Sequence, residues 1–237
     1  SALIAGHTGH MVTLRALVVA DEESRYIWDF FDRQAFKGID VIIACGDLKA
    51  SYLSFLTTMV AAPLFYVHGN HDGHFLRQPP EGCDNLEERM QVLKGIRFIG
   101  FGGALASSPK PFHYSERDAV RQITRRLPEI SYHGGFDVLV THAPVQGLGD
   151  LDGAFHRGFK AYRALIDLFG PKYHFHGHVH TSYRQGASRV IRYGDTTIVN
   201  AFGYRVLDLQ FDKPGRRKRL SYIKTRYDWG RAYGSQP

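Results

Sequence analysis

The stretch Leu64-Phe65-Tyr66-Val67-His68-Gly69-Asn70-His71-Asp72 sets a four-residue apolar run almost directly before a turn carrying an amide, an imidazole and a carboxylate. A run that short, rich in aromatic and branched side chains and closed by Gly-Asn, predicts a buried strand with polar chemistry at its C-terminal end. The same arrangement recurs along the chain. Residues 14–20 lead into Asp21, Glu22 and Glu23, and residues 41–45 into Gly46 and Asp47. Residues 136–140 lead into Thr141, His142, Ala143 and Pro144, and residues 173–175 into a segment containing Gly177, His178, Val179 and His180. Residues 96–101 read as one further strand.

Helical spacing marks 23–35, 51–61, 116–126 and 161–169, so short strands alternate with helices as they do in parallel α/β sheets. Beyond His180 the texture changes to strand pieces at 190–193, 196–199 and 206–211, with Gly194 and Asp195 marking a hairpin. No linker or repeat interrupts the chain, and one domain over 12–237 is expected. Residues 1–11 read as an expression-tag remnant, so His7 and His10 are set aside.

With 237 residues, 43% hydrophobic and 22% charged, the chain has the composition of a folded domain with a sizeable core. Two cysteines give no zinc or disulfide framework, and no apolar run reaches the ~18 residues a membrane helix needs. The expectation is a cytoplasmic protein that does not engage membranes. The formal charge is 30 − 23 = +7, which favours anionic partners. Part of it sits in residues 213–231, where Arg216, Arg217, Lys218 and Arg219 run together and Lys224, Arg226 and Arg231 follow. That stretch reads as a solvated surface strand or tail, with nucleic-acid backbone contact as the alternative. The 13 histidines are the compositional excess that must be placed.

Open α/β sheets bind ligands at the C-terminal ends of their strands, and neighbouring strand ends lie only about 5 Å apart. Singly, each cluster is a turn former or an ordinary histidine. Jointly, two aspartates, an asparagine and three histidines make a mixed oxygen and nitrogen ligand set sufficient for two divalent metals.

The ordered series Asp21, Gly46-Asp47, Gly69-Asn70-His71-Asp72, Thr141-His142-Ala143-Pro144 and Gly177-His178-Val179-His180 resembles the calcineurin-like metallophosphoesterase family. The resemblance spans residue 14 to about 203. It implies a four-layer α-β-β-α sandwich of two mixed sheets flanked by helices, with a binuclear metal centre at one edge. It also implies that Asp21 and His180 bind one metal, that Asp47 bridges, and that Asn70, His142 and His178 bind the other. His71 then stands beside the substrate as the catalytic histidine, with Asp72 orienting its imidazole.

The chain departs from the family where an Asp-x-His pattern is usual, because it has Asp21-Glu22-Glu23. Glu23 coordinates the first metal, holds a metal-bound water, or simply opens a helix whose N-terminus favours acids. Coordination by Glu23 would shift preference toward Mn or Fe, with Zn the softer alternative. The expected reaction is in-line attack of a metal-bound hydroxide on phosphorus, with His71 hydrogen-bonding the phosphate or protonating the leaving oxygen. Asn70 lies where it also meets substrate, and His156 with Arg157 could reach a substrate phosphate. His174 reads as structural, and His176 is open between that and support of a ligand. Small phosphate esters or nucleotides are the expected substrates, phosphodiesters slightly ahead of monoesters. A nuclease using the basic stretch, and a binding scaffold without catalysis, are the competing readings.

Overall fold

The computed structural model describes residues 11–106, 108–150, 157–180, 189–212 and 218–237. Residues 1–10 of the expected tag remnant, His156, and residues 213–217 of the basic run lie outside the described residues.

The first sheet contains β1 (Val12–Ala20), β2 (Val41–Ala44), β3 (Leu64–Tyr66) and β4 (Cys83–Asn85), joined in parallel in that order. The chain then passes to β5 (Gln91–Leu93) and β6 (Ile96–Phe101), a small ribbon of β7 (Ala104–Leu105) and β8 (His113–Tyr114), and on to β9 (Val138–Thr141). With β10 (Tyr173–His176), β11 (Val190–Tyr193) and β12 (Thr196–Asn200) these complete a second sheet in the order β11-β12-β10-β9-β6-β5. Finally β13 (Gly203–Phe211) returns to the first sheet, antiparallel to β1 along its whole length.

Side chains alternate across each strand, which is why continuous apolar runs end up buried on both faces. From the first sheet Val18, Ile43 and Phe65 meet Phe98, Val140 and Phe175 of the second, forming the layer between the sheets. The intervening Leu17, Ile42 and Leu64 face outward onto Ile27 of α1 (Arg25–Asp29) and Tyr52, Leu53 and Leu56 of α2 (Ala50–Val60). On the far side Ile99, Leu139 and Ile198 pack against α3 (Glu116–His133), α4 (Lys160–Phe169) and α5 (Tyr222–Gly234). The result is the expected α-β-β-α sandwich. Each large apolar side chain so buried contributes about 1.5–3 kcal/mol, enough in sum to hold the sheet edges rigid. None of the described helices is long and apolar enough to cross a membrane.

Three expectations are corrected. The helix expected over 23–35 is only Arg25–Asp29. Beyond it Phe31 stacks on Phe36 and abuts Phe55, and the Asp32 carboxylate accepts from the Gln34 amide, so tertiary packing and a local turn replace the helix. The helix expected over 116–126 runs to His133 through Pro128. Its Ser115–Asp118 capping box and the burial of Leu127, Ile130 and Ser131 outweigh the lost backbone bond. The basic C-terminal stretch is neither strand nor loose tail over its described part. Residues 222–234 are helical, and Thr225 and Trp229 are buried against α3 and α4 while the cations face out.

Candidate metal centre and substrate cleft

The parallel strands of both sheets end at one edge, and the turns that follow carry the polar clusters. Asp21 follows β1, Asp47 follows β2, Asn70 follows β3, His142 follows β9 and His178 follows β10. Ligand atoms of Asp21, Asp47 and His142 all lie within 4.8 Å of one another. His142 Nε2 is 3.0 Å from Asn70 Oδ1 and 3.3 Å from Asp47 Oδ2. The His178 and His142 rings have centroids 5.0 Å apart, and His180 Nε2 is 3.8 Å from Asp21 Oδ1. Residues up to 159 positions apart in sequence are thus gathered by strand order alone.

Backbone conformation at these turns is unusual. Asp21, Asp47 and His178 adopt positive φ angles of 64°, 57° and 65°, a left-handed region that is costly for residues other than glycine. Their neighbours leave no room for alternatives. A Cβ on Gly69 would fall 2.0 Å from Asp47 Oδ1, one on Gly46 2.4 Å from the Gly69 amide, and one on Gly177 2.7 Å from Asp21 Oδ2. The glycine that precedes Asp47, Asn70 and His178 in each motif lets three turns interlock.

The electrostatics point to a cation. His142 Nδ1 lies 2.8 Å from the Cys45 carbonyl, which can only accept, so this nitrogen carries the proton and Nε2 turns its lone pair toward the carboxylates. Three acceptors therefore converge with nothing between them to donate. A second proton on the ring would resolve this: burial opposes it, yet the Asp47 and Asp21 charges outweigh burial and raise His142 to about 9. Burial likewise pushes Asp21 up to about 7, helped by the Asp47 charge, while the His142 charge and the His178 amide pull the other way. Burial opposes ionisation of Asp47 as well, but the His142 charge and hydrogen bonds from His142 and the His71 amide hold it low. A divalent ion fits this donor set in place of that proton, since it satisfies all three acceptors at once.

Asp72 is buried beneath the loop, and its Oδ2 accepts from the Gly69 and Asp47 amides at 2.7 and 2.9 Å. It ties the β2 and β3 turns together, where the expectation had it orienting the His71 imidazole. His71 is exposed, its amide donating to Asp47 Oδ1 at 2.8 Å. Glu23 does not open its own helix, which starts at Arg25. Its carboxylate accepts from the Lys49 amide at 3.0 Å and Nζ at 3.3 Å, at the start of α2. Buried His174 and His176 flank the site inside the second sheet, Nδ1 of His176 lying 3.0 Å from the Gly177 carbonyl.

Beside the centre opens a cleft of about 850 Å³, whose lining includes Asn70, His178 and Arg157. Lys110 and the β7 residues also line it, and no motif in the sequence marks them. The legible signal for the interlocking turns was the repeated glycine.

The sequence pattern of the calcineurin-like phosphoesterase family matches residues 10–182, and the chain belongs to that family. A search of curated proteins finds no match. Among solved structures, one crystal structure is similar with a TM-score of 0.59 at 16% identity, covering 83% of this chain and 95% of its own. Another, Vps29 of Chaetomium thermophilum, has a TM-score of 0.36 at 13% identity, covering 88% of this chain and all of its own. Membership supports metal-dependent phosphoester hydrolysis in general terms, in a family whose members typically hold two divalent metals.

Proposed function

We propose that this chain is a binuclear metallophosphoesterase acting on small phosphate esters, with phosphodiesters favoured. The observation that carries this reading is the convergence of Asp21, Asp47, Asn70 and His142 acceptors around a histidine whose tautomer the Cys45 carbonyl fixes. Asp21 and His180 would hold one ion and Asn70, His142 and His178 the other, with Asp47 shared. The mixed set of three oxygen and three imidazole donors accommodates Mn or Fe, and Zn as well. Bound there, the ions supply activated water and neutralise the phosphoryl oxygens.

What the chain itself contributes is position and a proton. Asp72 and the three glycines fix the turns, so little reorganisation remains when substrate binds. Water adds to phosphorus as its hydroxyl, the ester P–O bond breaks, the departing oxygen takes a proton from the protonated His71 imidazole, and the proton released by the water restores the ring. The +7 charge supports anionic ester substrates. The interlocked site supports an enzyme over a scaffold.

The test is metal analysis of the purified protein with assays on p-nitrophenyl phosphate and bis-p-nitrophenyl phosphate. Hydrolysis dependent on Mn or Fe, with the diester faster, is expected. His71→Ala should lower turnover about 10²–10⁴-fold with metal content unchanged. A protein that binds metal and hydrolyses neither ester would overturn the reading.

A further inference from the structure

Helix α5 is docked by one face and bare on the other. Thr225 and Trp229 are buried where the helix packs against α3 and α4. At about 100° per residue the opposite face is formed by Ile223, Arg226, Tyr227, Gly230 and Arg231. All five are exposed, Ile223 by 81% and Tyr227 by 65%, and nothing stands within 4 Å of the space a Cβ on Gly230 would take. Residues 218–237 carry five cations, Lys218, Arg219, Lys224, Arg226 and Arg231, against the single acidic side chain of Asp228, a balance of 5 − 1 = +4. That acid is already taken, since Lys224 Nζ lies 2.6 Å from Asp228 Oδ2. Arg226 and Arg231 have no carboxylate partner among the described residues.

Two of the cations lie over aromatic rings. The Arg231 guanidinium is 5.9 Å from the centre of the Tyr227 ring, and that of Arg219 is 4.0 Å from the centre of Tyr132, near the end of α3 and itself 56% exposed. The Leu220 amide donates to the Ser131 carbonyl at 2.8 Å, which holds the segment just before α5 against that end of α3. Aromatic faces for bases, with cations beside them for phosphates, are the two components by which proteins hold single strands without reading their sequence. A bilayer fits this face less well. A membrane-surface helix keeps its cations apart from its apolar stripe, whereas here Arg226 and Arg231 share the stripe of Ile223 and Tyr227, and the segregated apolar face is buried in the protein's own core. A duplex meets the cations but keeps its bases stacked away from the tyrosines. We propose that the outer face of α5, with Arg219 and Tyr132 beside its N-terminal end, binds single-stranded nucleic acid, the tyrosines stacking on bases and the arginines pairing with phosphates.

The test is fluorescence anisotropy of labelled oligomers of about 16 nucleotides, one of thymidine and one of uridine, against a duplex of the same length, with co-sedimentation on vesicles of phosphatidylcholine and phosphatidylserine alongside. Both single strands should bind about tenfold more tightly than the duplex, and the vesicles should sediment without the protein. Tyr132→Ala with Tyr227→Ala should weaken single-strand binding about tenfold or more and leave duplex binding unchanged. Arg226→Gln with Arg231→Gln should reduce the slope of log affinity against log salt by about 1.4. Lys37→Gln, which removes an exposed cation beside Phe36 in the opposite helical layer, should change neither. Every variant alters exposed side chains outside the metal centre, so denaturation midpoints and ester hydrolysis should match wild type. Full single-strand affinity in the tyrosine variant, or equal affinity for single strand and duplex, would overturn the inference and reduce the face to a general positive field. Binding to the vesicles without the oligomers would replace it with a lipid surface, and no binding to any probe at low salt would remove it outright. None of these outcomes touches the phosphoesterase reading, which the ester assays test separately.

Discussion

His174 and His176 lie within β10, and His178 and His180 follow it, at alternate positions of one short run of chain. The first two are buried, and burial holds both neutral, His174 well below its usual range and His176 at about 4. Thr141 Oγ1 donates to the Ala143 carbonyl and so must accept from His174 Nε2, which leaves Nδ1 unprotonated and without a partner in the core. The second pair stands at the metal edge, His178 with a left-handed backbone whose amide donates to Asp21. Four residues of one type are thus divided at Gly177. Place in the fold, and not side-chain identity, separates stabilising histidines from candidate ligands. The carboxylates repeat the lesson, because Asp21 points into the centre while Glu23, two residues on, secures α2.

The harshest way to break this division is Gly177→Ala. The new Cβ would meet Asp21 Oδ2 at 2.7 Å and the Ala20 Cβ at 2.9 Å, displacing a ligand and a strand end together. Loss of metal from the purified protein, a fall of about 10²-fold in activity and about 1–3 kcal/mol of stability are expected. Full metal content in that variant would mean the turn has slack the structure does not suggest.

Opposite halves of the comparison should respond in opposite ways. His176→Ala should cost about 2–3 kcal/mol in chemical denaturation, through lost packing in the core. His178→Gly keeps the amide that binds Asp21 and relieves the positive φ, so the metal-free protein should be as stable as wild type or up to about 1 kcal/mol more so. It should nonetheless bind metal poorly. Equal stability losses in the two variants would erase the distinction.

One part of the pH dependence of the metal-free protein comes from the buried pair, and it opposes the contributions of Asp21 and His142, whose folded pKa values are raised. The folded pKa values of His174 and His176 lie below the unfolded value of about 6.5, so below that pH the unfolded chain takes up protons the folded chain refuses. Stability from this source is complete above about pH 6.5 and is lost as pH falls toward 4. His176 alone accounts for about 2 kcal/mol at pH 5. Denaturation midpoints of wild type and His176→Ala at pH 8, 6.5 and 5 measure it by difference, and a difference that does not change with pH would show that the ring accepts a proton in place. Smallest of all should be Glu23→Gln, at under about 1 kcal/mol because its pairing with Lys49 is largely exposed. Metal content should not change, and loss of an ion would return Glu23 to the ligands.

Much of this was legible beforehand. The apolar runs before Asp21, Asp47, Asn70 and His142 became strands of the expected sheets, and Gly194-Asp195 became the turn between Tyr193 and Thr196. Less legible was what depends on distant partners. Phe31 leaves a helical pattern to reach Phe36 and Phe55, and Trp229 hides a docked helix inside a basic stretch. No local signal assigns Lys110 to the cleft or Asp72 to the amides of Gly69 and Asp47.

The sequence by itself determined the class of fold and the inventory of the site, because strand periodicity, glycine placement and ligand chemistry are local properties of the chain. Which oxygen faces which nitrogen was decided only in three dimensions. Positive φ angles at Asp21, Asp47 and His178 and the Cys45 carbonyl that fixes His142 arise where separate turns interlock. Close packing between segments far apart in sequence sets those angles and contacts, and no single segment encodes them.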